Sequence, residues 1–164
     1  RAAMWKQRKS CAASCWSCLS PQKTGRNDRA GNEKGYDVED LTGANSAYFG
    51  FWGLDPYNRQ DYELRFFSPH SDAVELGTAL ADERIGDSAS LNEETATWPE
   101  GIKDARRCTG SKGYSGPQNC KTPKYWGYSI YANMILICSG TDLATAQIRC
   151  NDLLTVLDPQ DDAA

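Results

Sequence analysis

Cysteines are the residues of this chain best suited to covalent or metal chemistry, and they fall into two groups. The first group is Cys11, Cys15 and Cys18, near the beginning of the sequence. The second group lies in the last third of the sequence and consists of Cys108, Cys120, Cys138 and Cys150. This division predicts disulfide bonds for the later group, and either metal binding or processing of an export signal for the earlier one.

The four later cysteines are predicted to form two disulfides. Cys138 ends a predicted strand and Cys150 lies on the apolar face of the helix that follows, so a helix returning over its strand could bring their Cα atoms within about 4.4–6.8 Å. Cys108 and Cys120 bracket a glycine-rich loop, where a disulfide would contribute roughly 3 kcal/mol. The crossed pairings remain open, and the alternative is four reduced, buried cysteines. With no Cys-x-x-Cys among them, a zinc site is disfavoured.

The spacing Cys11-x3-Cys15-x2-Cys18 resembles the motif with which radical-SAM enzymes hold a [4Fe–4S] cluster on three thiolates. The resemblance would imply an iron–sulfur or other metal-dependent redox protein. Two features depart from that family. Ser17 precedes the third cysteine, where the family has an aromatic residue, and the rest of the chain is too short for the repeated strand–helix barrel of such enzymes.

An export signal is the second interpretation of the same segment. The basic run 5–9 resembles the start of a signal peptide. The run Ala12-Ala13-Ser14-Cys15 resembles a degenerate bacterial lipobox, which implies lipidation of Cys15 and a membrane tether. A disordered cytoplasmic tail is the third interpretation.

Charge is divided unevenly along the chain. Residues 1–34 carry eight basic and two acidic side chains, a net charge of +6, and the remainder carries ten basic and twenty acidic ones, a net charge of -10. An acidic body repels phosphates, so nucleic-acid binding by the folded part is not predicted. No apolar run is long enough for an ordinary transmembrane helix.

Three regions follow from composition. Residues 1–35 are predicted to be a basic, flexible tail or degenerate export signal with its tether, because the end of this segment lacks apolar residues. Residues 36–158 are predicted to form a single α+β domain, and residues 159–164 a disordered C-terminus.

Within the domain, hydrophobic periodicity predicts strands over 47–52 and 61–67, joined as a hairpin by a turn-rich loop. A helix is predicted to start near Ser68 and Pro69 and to end at Gly86, with Gly77 approaching the sheet closely. Residues 128–138 are predicted to be a central strand that is apolar on both faces, followed by a last helix that Pro159 ends. The predicted fold is a two-layer α+β sandwich, an antiparallel or mixed sheet with two helices on one face, ferredoxin-like or related.

Aromatic side chains are more numerous than a small core needs, so some are predicted to form a surface for a ligand or partner. The residues assigned to this surface are Tyr48, Trp52, Tyr57, Trp98, Tyr125 and Trp126. Catalysis is not predicted, because His70, Ser71 and Asp72 are adjacent on a helix and cannot form a triad.

The runs 48–53, 62–67 and 134–138 resemble those of uncharacterised secreted or lipoprotein-type bacterial proteins, and this resemblance implies no known activity. We therefore expect a disulfide-stabilised extracytoplasmic (periplasmic, cell-surface or secreted) domain that binds a small ligand or a protein partner, needs no cofactor and catalyses no reaction. The alternative is an iron–sulfur or other metal-dependent redox protein that uses Cys11, Cys15 and Cys18.

Overall fold

The computed structural model of the chain describes residues 34–55, 57–109 and 119–157. Seven strands and three helices follow one another in these segments. They are β1 (Lys34–Tyr36), β2 (Ala44–Trp52), β3 (Gln60–Phe67), α1 (His70–Glu75), α2 (Gly77–Asp82), β4 (Arg106–Thr109), β5 (Asn119–Pro123), β6 (Tyr125–Tyr131), β7 (Met134–Ser139) and α3 (Leu143–Leu157). The predicted tail therefore overlaps β1 at Lys34 and Gly35, while the remainder of that tail and the predicted disordered C-terminus lie outside the described residues.

Five strands form the main sheet in the order β1-β2-β3-β7-β6, and every neighbouring pair is antiparallel. The predicted hairpin of β2 and β3 is present, with Tyr48 opposite Leu64. Strands β4 and β5 form a separate antiparallel pair. The α+β class and the antiparallel sheet are confirmed.

The helices are divided between the two faces of the sheet, whereas the sequence predicted both on one face. Helix α3 covers the face that carries Leu64, Met134 and Leu136. Helices α1 and α2, with the segment 83–105, cover the face that carries Phe67 and Ile135. The physical reason is that β3 and β7 are apolar or buried on both faces, so each face needs its own cover.

Gly77 begins α2 at a point where the helix touches the sheet. A Cβ atom at this position would lie 2.5 Å from Cδ1 of Ile135 and 2.6 Å from Cζ of Phe67. The predicted close approach at Gly77 is therefore found. The predicted single helix is divided in two at Leu76, directly before this contact.

The segment 128–138, predicted as one strand, is a hairpin. Its turn consists of Ala132 and Asn133, with Ala132 in the left-handed region at φ 50°. Because of this turn, residues on its two sides share a face of the sheet in a different combination from that of a continuous strand. Tyr131 packs with Met134 on the α3 face, and Ile130 packs with Ile135 on the opposite face. A strand without this turn would have placed Ile130 and Met134 on one face.

Both predicted disulfides are present. Cys108 pairs with Cys120 between β4 and β5, and Cys138 pairs with Cys150 between β7 and α3. Each bridge spans twelve positions of the sequence. The second bridge is buried, with both cysteines 0% exposed, so it fixes α3 to its face of the sheet.

Candidate functional site

A buried cluster of charged side chains lies on the sheet face that α1 and α2 cover. Glu63 and Arg65 are two residues apart on β3, so their side chains point to the same face. Arg84 follows α2 and Trp98 comes from the segment 83–105. All four are buried, and Glu63 and Arg65 are 0% exposed. We call Glu63, Arg65, Arg84 and Trp98 the charge cluster.

Glu63 holds both guanidinium groups of the charge cluster. Arg65 donates from Nε to Oε1 of Glu63 over 2.8 Å, and its Nη2 contacts the same oxygen at 2.7 Å without hydrogen-bond geometry. Nε of Arg84 lies 3.8 Å from Oε2. Arg84 also donates from Nη2 to the carbonyl oxygens of Trp98 and Glu100, over 3.1 and 2.9 Å. Burial of Arg65 lowers the pKa of its guanidinium, and the charge of Glu63 opposes this shift.

The indole ring of Trp98 closes the cluster from the loop side. Cζ of Arg65 lies 4.8 Å and Cζ of Arg84 4.9 Å from the centre of the ring, an arrangement in which the ring face attracts each cation. The indole Nε1 donates to the carbonyl oxygen of Asp37 over 3.0 Å. The ring thus shields the ion pair from solvent and connects the loop to the chain that follows β1.

Beside the cluster is a cavity of about 10 Å³, lined by Leu80, Glu83, Arg84, Ser90, Ala96, Trp98 and Ile102. This volume matches about one water molecule, so the cavity is too small for an organic substrate. Tyr125 is also 0% exposed on this face. Burial raises the pKa of the Tyr125 hydroxyl well above its usual value, and the charge of Glu63 adds to this effect.

At the margin of the same face, Asp104 joins the edge strand to the loop. The hydroxyl of Tyr36 donates to Oδ2 of Asp104 over 2.8 Å, and Nζ of Lys34 donates to the same oxygen over 3.0 Å. Although partial burial opposes it, these two hydrogen bonds lower the pKa of Asp104. The charged side chains on this face therefore brace the loop.

The structure places the six aromatic residues predicted to form a surface in three environments. Trp98 is 2% exposed and Tyr125 is 0% exposed, so assigning these two to a surface was wrong. They cover the charge cluster and fill the core. Tyr48, Trp52 and Trp126 are half-buried and pack around the α3 face. Tyr57, by contrast, is 97% exposed.

Tyr57 lies in the connection between β2 and β3, of which residues 53–55 and 57–59 are described; we call these residues the hairpin tip. Oδ1 of Asp55 accepts from the amide of Tyr57 over 2.8 Å, and the carbonyl of Asp55 accepts from the amide of Asn58 over 3.0 Å. A Cβ at Gly53 would lie 2.7 Å from the carbonyl oxygen of Asn58, so the tip is tightly closed. Leu54, 80% exposed, and Tyr57 project from it.

Residues 27–159 match the family of unknown function DUF6810. This chain belongs to the DUF6810 family. No curated protein and no solved structure was found to be similar to it.

The DUF6810 match contains all four disulfide cysteines and begins after Cys11, Cys15 and Cys18. Those three cysteines lie outside the described residues, so neither lipidation of Cys15 nor metal binding by the three is tested by the structure. Among the residues that are described, no group of three or more His, Cys, Asp and Glu side chains could hold a metal ion. The iron–sulfur interpretation therefore receives no support.

One observation bears on the compartment in which this DUF6810 member works. The two disulfides are compatible with an oxidising, extracytoplasmic location, because such bonds rarely persist in the cytosol. In the described part of the chain, none of the helices has the length and apolar character needed to span a membrane.

Sequence reasoning missed the charge cluster. Glu63 and Arg65 alternate with Tyr62, Leu64 and Phe66 along β3, which is the pattern of a strand with one solvated face. Nothing local distinguishes a solvated Glu-x-Arg from a buried one. The signal that could have helped is Trp98, an indole in a polar loop that lacks other aromatic residues.

Proposed function

We propose that this chain is a disulfide-stabilised, non-catalytic binding domain that works outside the cytoplasm and contacts its partner through the hairpin tip. The observation that carries the proposal is the exposure of Tyr57 and Leu54, 97% and 80%, on a closed turn. Tyrosine supplies a large, amphipathic contact area and is enriched at interfaces.

The bracing of the hairpin tip supports this role. A loop held in one conformation by its own hydrogen bonds loses less conformational entropy when it binds a partner. Arg59, with its Cζ 5.3 Å from the ring centre of Phe51, fixes the base of the tip on one side. The exposed apolar side chains are thus presented by a preorganised support.

The interior of the domain supports a binding role over a catalytic one. The charged groups of the charge cluster are sealed under Trp98, and the adjoining cavity of about 10 Å³ has room for no substrate larger than water. The two disulfides support an extracytoplasmic site of action, where a small domain gains stability from covalent links.

Site-specific photo-crosslinking in cells that produce the chain tests this proposal. A photoreactive phenylalanine analogue in place of Tyr57 is expected to give an adduct of defined mass. The same analogue in place of Val74, which is 39% exposed on α1, serves as the matched control and is expected to give none. Equal adducts from both positions, or no adduct from position 57, would overturn the proposal.

A further inference from the structure

Strand β6 forms one edge of the main sheet and is free of charge. Its sequence, Tyr125–Tyr131, contains no Asp, Glu, Lys, Arg or Pro. Exposed edge strands normally carry a charge or a proline that prevents pairing with another chain. The edge of β6 lacks both of these protections.

The backbone of β6 offers hydrogen-bonding groups along this edge. The two-residue turn makes Tyr131 and Met134 a hydrogen-bonded pair, and such pairs alternate along an antiparallel ladder. Tyr128 and Ile130 therefore direct their N–H and C=O groups away from β7. In the described part of the chain, no backbone hydrogen bond outside the sheet ladder involves either residue.

Helix α3 adds an uncharged flank beside the same edge. Its orientation is fixed by Gln147, whose Nε2 donates to Oγ of Ser129 on β6 over 3.1 Å, and by Arg149 on the other side, whose Nη1 donates to the carbonyl oxygen of Ser139 over 2.9 Å. Helical spacing then places one uncharged stripe towards the β6 edge. Its members are Ala144, Gln147, Ile148, Asn151 and Thr155.

Exposed apolar side chains lie on this flank of α3. Ile148 is 61% exposed on the stripe, and Leu143, also 61% exposed, begins the helix above β6. The helix approaches the strand closely there, because a Cβ at Gly127 would lie 3.1 Å from Cδ1 of Leu143. On the α3 side of the sheet, the β6 edge and the α3 flank therefore form one continuous uncharged surface. On the opposite side, the hydroxyl of Tyr128 donates to the carboxylate of Asp82.

We propose that this surface is a two-fold interface between two copies of this chain. In an antiparallel β6–β6 pair centred on Ser129, Tyr128 of each copy would form backbone hydrogen bonds with Ile130 of the other copy. The two sheets would then join into one. Because each strand meets an identical strand in such an interface, a charge on β6 would face a like charge in the partner, and β6 carries none.

The geometry of α3 fits the same arrangement. Strands pair at about 4.8 Å, and α3 lies over β6 and β7, so two copies of α3 would be roughly 10 Å apart across the axis, close to the spacing at which helices pack. The two helices would be antiparallel, so Gln147, which bonds Ser129 near the axis, would lie close to its own copy, with the rest of the stripe on either side. The net charge of -4 per chain favours an uncharged contact surface for two copies that otherwise repel each other.

Sedimentation velocity over a range of concentrations tests the interface. The full chain is used with its free thiols alkylated, so that cysteines outside the disulfides cannot link copies. The wild-type chain is expected to show a monomer–dimer equilibrium. Ile148→Lys, a change at an exposed position, is expected to raise the dimer Kd by at least about tenfold, because the interface would bury a charge.

Val156→Lys is the matched control. Val156 is also on α3 and 43% exposed, but helical spacing places it on the flank away from β6, so the dimer Kd should stay within about twofold of wild type. Hydrogen exchange supplies the second measurement. The amides of Tyr128 and Ile130 should be protected in the wild-type dimer and exchange faster in Ile148→Lys.

Three results would overturn the proposal. They are a wild-type chain that stays monomeric at every concentration, an equal loss of dimer in Val156→Lys, and a dimer in which the amides of Tyr128 and Ile130 remain unprotected. None of these results bears on the hairpin tip, which lies at a different strand connection, so the outcome is separable from the proposed binding function.

Discussion

Glu63 and Arg65 form an ion pair between neighbouring positions on one face of a strand, and both side chains are fully buried. The distance from Oε1 of Glu63 to Nη2 of Arg65 is 2.7 Å. Two charges transferred from water to a protein interior lose hydration that their mutual attraction only partly restores. Here the pair is buried together with Arg84 and is covered by the ring of Trp98. The stability of each buried charge therefore depends on the other members of the charge cluster.

Removing the charge of Glu63 should destabilise the domain more than removing Arg65. Glu63→Gln leaves two guanidinium groups without a carboxylate, and we expect a loss of about 3–5 kcal/mol in the free energy of unfolding. Arg65→Met leaves Glu63 paired with Arg84 and should lose less. Urea unfolding of each variant measures both values.

The exposed pair of Lys103 and Glu93 provides the control for this comparison. Its atoms are 3.7 Å apart, and the side chains are 79% and 42% exposed. Lys103→Ala should change the free energy of unfolding by less than about 1 kcal/mol. An equal loss in Lys103→Ala and Glu63→Gln would contradict the role assigned to burial.

The two disulfides should differ in their susceptibility to reduction. Cys108 is exposed, whereas Cys138 and Cys150 are both 0% exposed. Attack by a thiolate requires access to a sulfur atom, so a mild thiol reductant should open the Cys108–Cys120 bridge first. Alkylation followed by peptide mass mapping at successive times measures the order, and simultaneous labelling of all four cysteines under native conditions would refute it.

Gly77→Ala should destabilise the domain although alanine favours helices. The added methyl group would meet Ile135 at 2.5 Å and Phe67 at 2.6 Å. Overpacking of this kind costs about 1–3 kcal/mol and outweighs a propensity gain of about 1 kcal/mol. Glu75→Ala, at an exposed position of α1, is the control and should leave the thermal unfolding temperature nearly unchanged.

Alkaline pH should unfold the domain through its buried tyrosines. Burial raises the pKa of Tyr62 to about 12, with the charge of Arg149 opposing the shift, and burial raises that of Tyr125 as well. Because the folded state holds these protons more tightly than the unfolded state, the stabilisation is complete below about pH 10 and is lost as the pH rises towards 12.

Denaturant midpoints measured across this alkaline range test the expectation. Tyr62→Phe keeps the ring and removes the ionising group, so its stability should fall less steeply with pH than that of the wild-type chain. Identical slopes for the two proteins would assign the alkaline loss to other groups.

Much of the fold was predictable because hydrophobic periodicity dictates it. Strands β2 and β3, the hairpin between them and helix α3 follow from apolar spacing and turn residues. The division of segment 128–138 was not predictable, because its turn uses Ala132 and Asn133 without glycine or proline. The left-handed φ of Ala132 is set by the pairing of β6 with β7, a tertiary constraint that propensity does not encode.

The candidate surfaces were less predictable than the fold. An indole in a polar loop can form an exposed binding surface or can cover buried groups. Only the positions of Arg65 and Arg84 show that Trp98 covers buried groups. Tyr57 was assigned to the surface only as one of several surplus aromatic residues, and its place in a turn-rich loop agrees with its exposure. The α3 flank could not be recognised before the orientation of α3 relative to β6 was known.

The pairing of β3 with β7, which we call the seam of the sheet, has a consequence for the order of folding. Strands β1, β2 and β3 are consecutive, and so are β6 and β7, but Tyr62 pairs with Cys138 across most of the domain. Closing so long a loop carries an entropic cost that only the completed core offsets. We therefore expect two locally folded halves to form early and to join in a slow step at this seam, where the buried layers on both sides of the sheet are completed together.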